Sequence, residues 1–221
     1  MRKKITFANE YLNYLNMKRI IIVLLALVAA VNVSAQDLRF GVAGGLNMSW
    51  EKEKVLGDKY TSDCYIGFQA GVKAEMDFAD HLTDGFYLEG SLLYTLKGSS
   101  YSGIHTNLGF IHLPINLLYR MPVSDDVSII GGLGPYLSLG VVGKDVETVE
   151  GSKIKTKVFG DIYQRFDFGL NYKIGVEMWD QWQFYAGFEH GLLDLTKTKV
   201  ADEVISKCHL LNFYIGTAFM F

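Results

Sequence analysis

The sequence predicts an all-β fold, an eight-stranded antiparallel up-and-down transmembrane β-barrel with short periplasmic turns and longer extracellular loops. Three observations predict it. From Phe166 to Met178 every even position is large and apolar, and every odd one is polar, charged or glycine. Strand side chains point to opposite faces in turn, so this segment has one apolar and one polar face. The pattern recurs about eight times with nearly all charges on one parity, as in a barrel whose oily face meets lipid. The connections, finally, alternate between short and long.

The elements follow in chain order. Met17-Lys18-Arg19 opens a basic stretch and offers a second start. An apolar run, Ile20 to Val31, and Asn32-Val33-Ser34-Ala35-Gln36 follow. A basic region, a short apolar core and a small-residue cleavage site make a secretory signal peptide. The run falls short of the roughly 20 residues of a spanning helix. Residues 1–35 are thus read as an N-terminal extension plus signal peptide, cleaved between Ala35 and Gln36. Residues 36–221 are read as one barrel domain. The leader carries a net charge of +4, so its loss takes the formal charge from −3 to −7. An acidic chain is a poor partner for nucleic acid.

The expected strands are Asp37–Trp50, Asp63–Phe78, Gly85–Lys97, Thr106–Met121, Val127–Val142, Arg165–Trp179, Trp182–Thr196 and Cys208–Phe221. Each covers the roughly 9–11 residues of a tilted transmembrane strand. Short links at Ala79–Asp84, Pro122–Asp126 and Asp180-Gln181 alternate with longer ones at Glu51–Ser62, Gly98–His105, Gly143–Gln164 and Lys197–Lys207. Pro114 and Pro135 fall inside strands, where proline cannot donate to the ladder, so a bulge or kink is expected at each.

The outward set includes Ile66, Phe68 and Val72 in the second strand, and Ile111, Leu113, Ile115, Leu117 and Tyr119 in the fourth. Trp50 near the outer rim, and Phe40, Phe86, Trp179, Trp182 and Phe221 near the inner one, suit aromatic girdles. The inward set pairs Arg39, Lys73, Lys97, Arg120, Arg165 and Lys173 with Glu75, Asp77, Glu89, Asp167, Glu177 and Glu189. An eight-stranded barrel is just wide enough for side chains to fill. Such charges lack water and must pair. Lumenal glycines, among them Gly41, Gly71, Gly169 and Gly175, are expected to make room for the long cations.

The search for chemistry yields no catalytic set, no cofactor and no metal site. Cys64 and Cys208 have no spaced Cys or His neighbours, and a disulfide between them is one alternative. An outer-leaflet acyl hydrolase needs a Ser–His pair facing lipid. His190 faces outward, but no serine stands two residues away. His112 reads as a lumenal hydrogen-bonding group. The chain is read as no enzyme.

Phe110-Ile111-His112-Leu113-Pro114-Ile115-Asn116-Leu117-Leu118-Tyr119-Arg120 resembles the aromatic-x-x-Leu-Pro-x-x-Leu-x-Tyr strand of the PorT-like outer-membrane β-barrel family of Bacteroidetes. Arg165-Phe166-Asp167-Phe168-Gly169-Leu170 resembles that family's sixth strand, and Phe219-Met220-Phe221 its terminal strand. The resemblance covers essentially all of 36–221 and implies fold and cell outer-membrane location, with no catalytic residues to carry over. It implies that Phe219 and Phe221 form the aromatic ending read by the barrel-assembly machinery. The other expected partners are outer-membrane lipid and lipopolysaccharide, and a secretion-machinery or extracellular partner at the loops. Three roles stay open: a structural or surface-interaction barrel with a side-chain-plugged lumen, an accessory of type IX-like secretion, and a narrow channel for small solutes.

Overall fold

The computed structural model describes residues 38–55, 58–77, 83–101, 104–149, 152–159, 163–196 and 206–221. The expected signal segment, with Ala35 and Gln36, lies outside them, as do Phe78 and His81. Ten strands form: β1 (Leu38–Val55), β2 (Asp58–Thr61), β3 (Tyr65–Asp77), β4 (Phe86–Tyr101), β5 (Ile104–Ser124), β6 (Val127–Val149), β7 (Ser152–Lys157), β8 (Phe166–Met178), β9 (Trp182–Gly191) and β10 (Ser206–Met220).

Eight of them make the wall. β1, β3, β4, β5, β6, β8, β9 and β10 pair antiparallel in that order. β10 then pairs back onto β1 from Gly41↔Met220 to Val55↔Ser206, so neither end strand keeps a free edge. Closure satisfies every ladder of backbone groups, which a bilayer demands because it offers no hydrogen bonds. Phe221 N donates to Phe40 O at 2.7 Å, fastening the last residue to the first strand. Among the described residues no helix is long and apolar enough to cross a membrane.

β2 and β7 lie off this ring, and they revise the expected loops. Glu51–Ser62 is a hairpin in which β1 runs on to Val55 and β2 returns along it. Gly143–Gln164 likewise holds the end of β6 and β7, paired from Val149↔Ser152 to Lys144↔Lys157. Beyond the lipid neither face need be apolar, so the alternation that delimits a strand fades. Backbone groups there still need partners and find them in ribbons. At the other end β9 stops at Gly191, short of the expected Thr196.

The expected bulges at Pro114 and Pro135 are absent. Pro114 pairs with Tyr136 and Leu117 with Leu133, so the register of β5 and β6 is the same on either side of the prolines. The two rungs between these pairs, Ile115 with Pro135 and Asn116 with Gly134, are simply skipped. The register shifts fall elsewhere, at Gly109/Phe110 and at Pro122/Ser124 beside the short turn. The first sets Val141 and Val142 both outward, exposed side by side.

The outward face is apolar and uncovered: Ile66, Leu133 and Ile174 are 70%, 62% and 65% exposed. A continuous belt of this kind marks a surface that meets lipid or a partner. At the short-turn end Trp182 packs on Phe219 (ring centroids 5.0 Å apart) and Phe219 on Phe221 (5.7 Å), while Phe86 meets Tyr119 at 5.0 Å. Trp50 meets Phe188 at 6.3 Å.

Candidate functional site

Strand parity puts the odd positions of β1, β3, β4, β8 and β9, and the even ones of β5 and β10, inside the ring. The charges there form two connected groups. Nearer the short turns, Arg120 Nη2 donates to Glu75 Oε2 (2.8 Å) and Glu177 Oε2 (2.9 Å). Arg39 Nη1 lies 3.4 Å from Glu177 and 3.6 Å from Glu75. Gln183 donates to both Glu75 and Glu177 and accepts from Lys73. Lys73 lies 2.9 Å from Glu75 and also pairs with Glu89. Glu89 takes in addition the Lys173 ammonium and Asn116 Nδ2 (2.8 Å).

A neutral chain extends from this group. Asn171 Nδ2 donates to Asn116 Oδ1 (2.9 Å), and Tyr214 OH donates to Asn171 Oδ1 (2.8 Å). In the second group Lys97 pairs with Glu189, which also faces His112 Nε2 at 3.0 Å and accepts from Asn212 at 3.2 Å. The Tyr136 hydroxyl donates to Asp167 Oδ2 at 2.9 Å. Lys73, Lys97, Lys173, Glu75, Glu89, Asp167, Glu177 and Glu189 are each no more than 7% exposed. Buried carboxylates and ammoniums persist only with such partners, since each loses its water.

Ten of the twelve expected lumenal charges therefore meet here, and Arg165 does not. Arg165 precedes β8, is exposed, and donates to Gly140 O at 3.0 Å. The strand that was to turn it inward starts one residue later. Asp77 closes β3 and is exposed at its end, where the wall stops enclosing anything. The glycines also serve differently. A Cβ on Gly169 would stand 2.6 Å from the Tyr136 ring, so the space belongs to tyrosine rather than to a long cation.

Between Lys73, Glu89, His112, Asn116, Asn171 and Glu189 lies a cavity of about 20 Å3, enough for about one water. The large hollows open outward instead, such as one of about 780 Å3 bordered by Leu46, Ile174, Phe184 and Ile215. At the long-hairpin end lies an apolar cluster that no sequence pattern marks. Val158, Phe159 and Tyr163, from the segment after β7, pack with Leu195 on Leu108, Phe110, Cys208 and Leu210. Phe159 meets Phe110 edge-on at 5.5 Å. Burial, then the neighbouring Glu51 carboxylate, pushes the Tyr163 phenol up. It stays protonated and donates to Glu51 Oε2 at 2.9 Å.

Cys64 is exposed and Cys208 is buried among these residues, and neither forms a disulfide. Cys208 lies instead with Glu51 and Glu53, their ligand atoms all within 4.8 Å of one another. The expected absence of a Ser–His pair needs revision too. Ser100 Oγ lies 3.0 Å from His105 Nδ1 at the long-hairpin end, exposed. The two share a rung of β4 and β5, a proximity that spacing within one strand cannot reveal. No carboxylate is bonded to His105 among the described residues, so the base lacks the orienting group of a triad.

A family profile described as outer membrane protein beta-barrel domain matches residues 21–215. No curated protein matches the chain. Among solved structures, the chain is similar to the attachment invasion locus protein Ail of Yersinia pestis (18% identity, TM-score 0.41, 83% of this chain and 98% of Ail covered). It is also similar to Neisserial surface protein A (14% identity, TM-score 0.42, 81% and 97% covered) and to OprG of Pseudomonas aeruginosa (14% identity, TM-score 0.45, 83% and 95% covered).

Proposed function

The chain belongs to the outer membrane protein β-barrel family, and we propose that it is a sealed barrel that acts at the cell surface through its long hairpins. Membership places it in the outer membrane. What supports the rest is the interior: paired charges around a cavity of about 20 Å3, with an apolar cluster at the long-hairpin end. An ion crossing this interior would have to break several buried pairs at once, each costing several kcal/mol to separate. A structural or surface-interaction role suits such a body better than solute passage. The short turns at Ser124–Val127 and Trp179–Gln181 then face the periplasm, and the β1–β2 and β6–β7 hairpins face outward, as in bacterial barrels generally.

Export by the segment from Met17 to Ala35 belongs to the same proposal, as does assembly guided by Phe219 and Phe221. The Phe110–Arg120 strand supports placement in the PorT-like branch. The experiment is a planar-bilayer recording of the refolded protein. Absence of discrete conductance steps is the expected result, and reproducible steps would replace this reading with a narrow channel. A deletion strain adds the other arm. An unchanged secreted proteome is expected, and loss of a cargo class would make the barrel a secretion accessory.

A further inference from the structure

The mouth of the lumen holds a group of donors that the salt-bridge network does not use. Glu51 and Glu53 are on one strand and one face, and Glu53 is directly opposite Cys208 in the register of β1 and β10. Directly opposed residues on one face bring their side chains into contact. The carboxylate oxygens and the Cys208 sulfur lie within 4.8 Å of one another. Glu51 is 3% exposed. Its Oε2 takes the Tyr163 hydroxyl, whereas Oε1 meets no donor at full hydrogen-bond geometry, the Ser99 hydroxyl and the Cys208 thiol being the other donors beside the carboxylate. No cation pairs with Glu51 or Glu53 among them either, although nearly every other buried carboxylate of the lumen has one. A buried carboxylate oxygen without a donor costs the full desolvation of that group.

We propose that Glu51, Glu53 and Cys208 form a binding site for a borderline-soft divalent cation, with Zn2+ as the type. Two carboxylates and a thiolate make a mixed oxygen–sulfur set of the kind that such ions take, and one that Mg2+ or Ca2+ does not favour. Bonds of about 2.0–2.3 Å in a tetrahedron set the donors roughly 3.5 Å apart, so a contraction on the order of 1 Å closes the site. Glu53 is only half-buried and leaves one side for a water as fourth ligand. The reaction is a ligand exchange with no electron transfer. The metal–sulfur bond forms as the Cys208 S–H proton leaves to solvent, so binding releases one proton. The ion would join β1 to β10 at the seam where the barrel closes, under the Tyr163 lid.

The test uses the untagged, refolded full-length barrel carrying Cys64→Ser, in which Cys208 is the one thiol left. Cd2+ is titrated and the ultraviolet thiolate-to-metal charge-transfer band recorded, followed by competition with Zn2+. One Cd2+ per chain, with the band, and displacement by Zn2+ are expected. Adding Cys208→Ser should abolish the band. Glu53→Gln, which changes a half-buried group and keeps the heat-shifted gel mobility of a folded barrel, should weaken binding at least about 10-fold, since even outer-shell changes cost that much. Absence of the band in the Cys64→Ser protein would overturn the proposal. So would a band that survives Cys208→Ser, or an affinity that Glu53→Gln leaves unchanged.

Discussion

Removing the Glu89 carboxylate is the sharpest perturbation of the lumen. Glu89 is 2% exposed. It receives Lys173, Lys73 and Asn116. In Glu89→Ala, Lys73 keeps Glu75 at 2.9 Å. Lys173 keeps the face of the Tyr185 ring, 4.9 Å from its ammonium, but no other carboxylate pairs with it among the described residues. One ammonium, 7% exposed, is then left without a carboxylate, a change that costs about 3–5 kcal/mol. Every 1.4 kcal/mol is tenfold, so the folding equilibrium falls by roughly two to four orders of magnitude. The assay is urea unfolding of protein refolded into lipid vesicles, followed by the gel shift between folded and boiled forms. Arg165→Ala serves as the control, since an exposed side chain off the network gives up one hydrogen bond, to Gly140 O, and should cost no more than about 1.5 kcal/mol. The double change Glu89→Leu with Lys173→Met should recover most of the loss, because replacing a buried pair by apolar residues is often neutral. If Glu89→Ala proves as mild as Arg165→Ala, the carboxylate does not hold a buried ammonium, and the reasoning fails.

Two further outcomes probe the wall. Ile174 is 65% exposed on the outward face, so Ile174→Arg should cost about 2–4 kcal/mol and lower the folded fraction in vesicles. A parent-like folded fraction would mean that this face does not meet hydrocarbon. A Cβ on Gly187 would stand 2.2 Å from Tyr214 Cζ and 2.6 Å from Tyr172 O. Because one neighbour is backbone, Gly187→Ala should lower the urea midpoint by the equivalent of about 1–3 kcal/mol, and an unchanged midpoint would refute the close approach.

How much of this was legible in the chain depends on which force wrote the pattern. Where one face meets lipid and the other does not, as from Phe166 to Met178, alternation is strict and the strand is read to within a residue or so of its ends. Lys73, Glu89, Lys97, Lys173, Glu177 and Glu189 were placed inside by parity alone. Their partners were not, since Lys97 meets Glu189 across 92 residues of chain and the choice depends on register. Arg165 and Asp77 carry the right parity but sit where the wall has ended, and parity has no term for depth. The hairpins after Trp50 and Val142 escaped because water on both faces removes the alternation. The cover made by Val158, Phe159 and Tyr163 escaped for a related reason, since three apolar residues in a polar loop have no period. The Glu51–Glu53–Cys208 group joins residues some 155 positions apart, brought together only when β10 closes on β1.

The claim at the centre is that the lumen is sealed by its own side chains, and the most direct measurement is the reactivity of its lysines. Folded protein in vesicles is treated with a small amine-reactive ester and each lysine is followed by mass spectrometry. Lys52, Lys59 and Lys144 are exposed and should label quickly, whereas Lys73, Lys97 and Lys173 should label only once urea unfolds the barrel. Labelling of Lys97 and Lys173 in the folded protein as fast as Lys144 would contradict the account and show a lumen open to water.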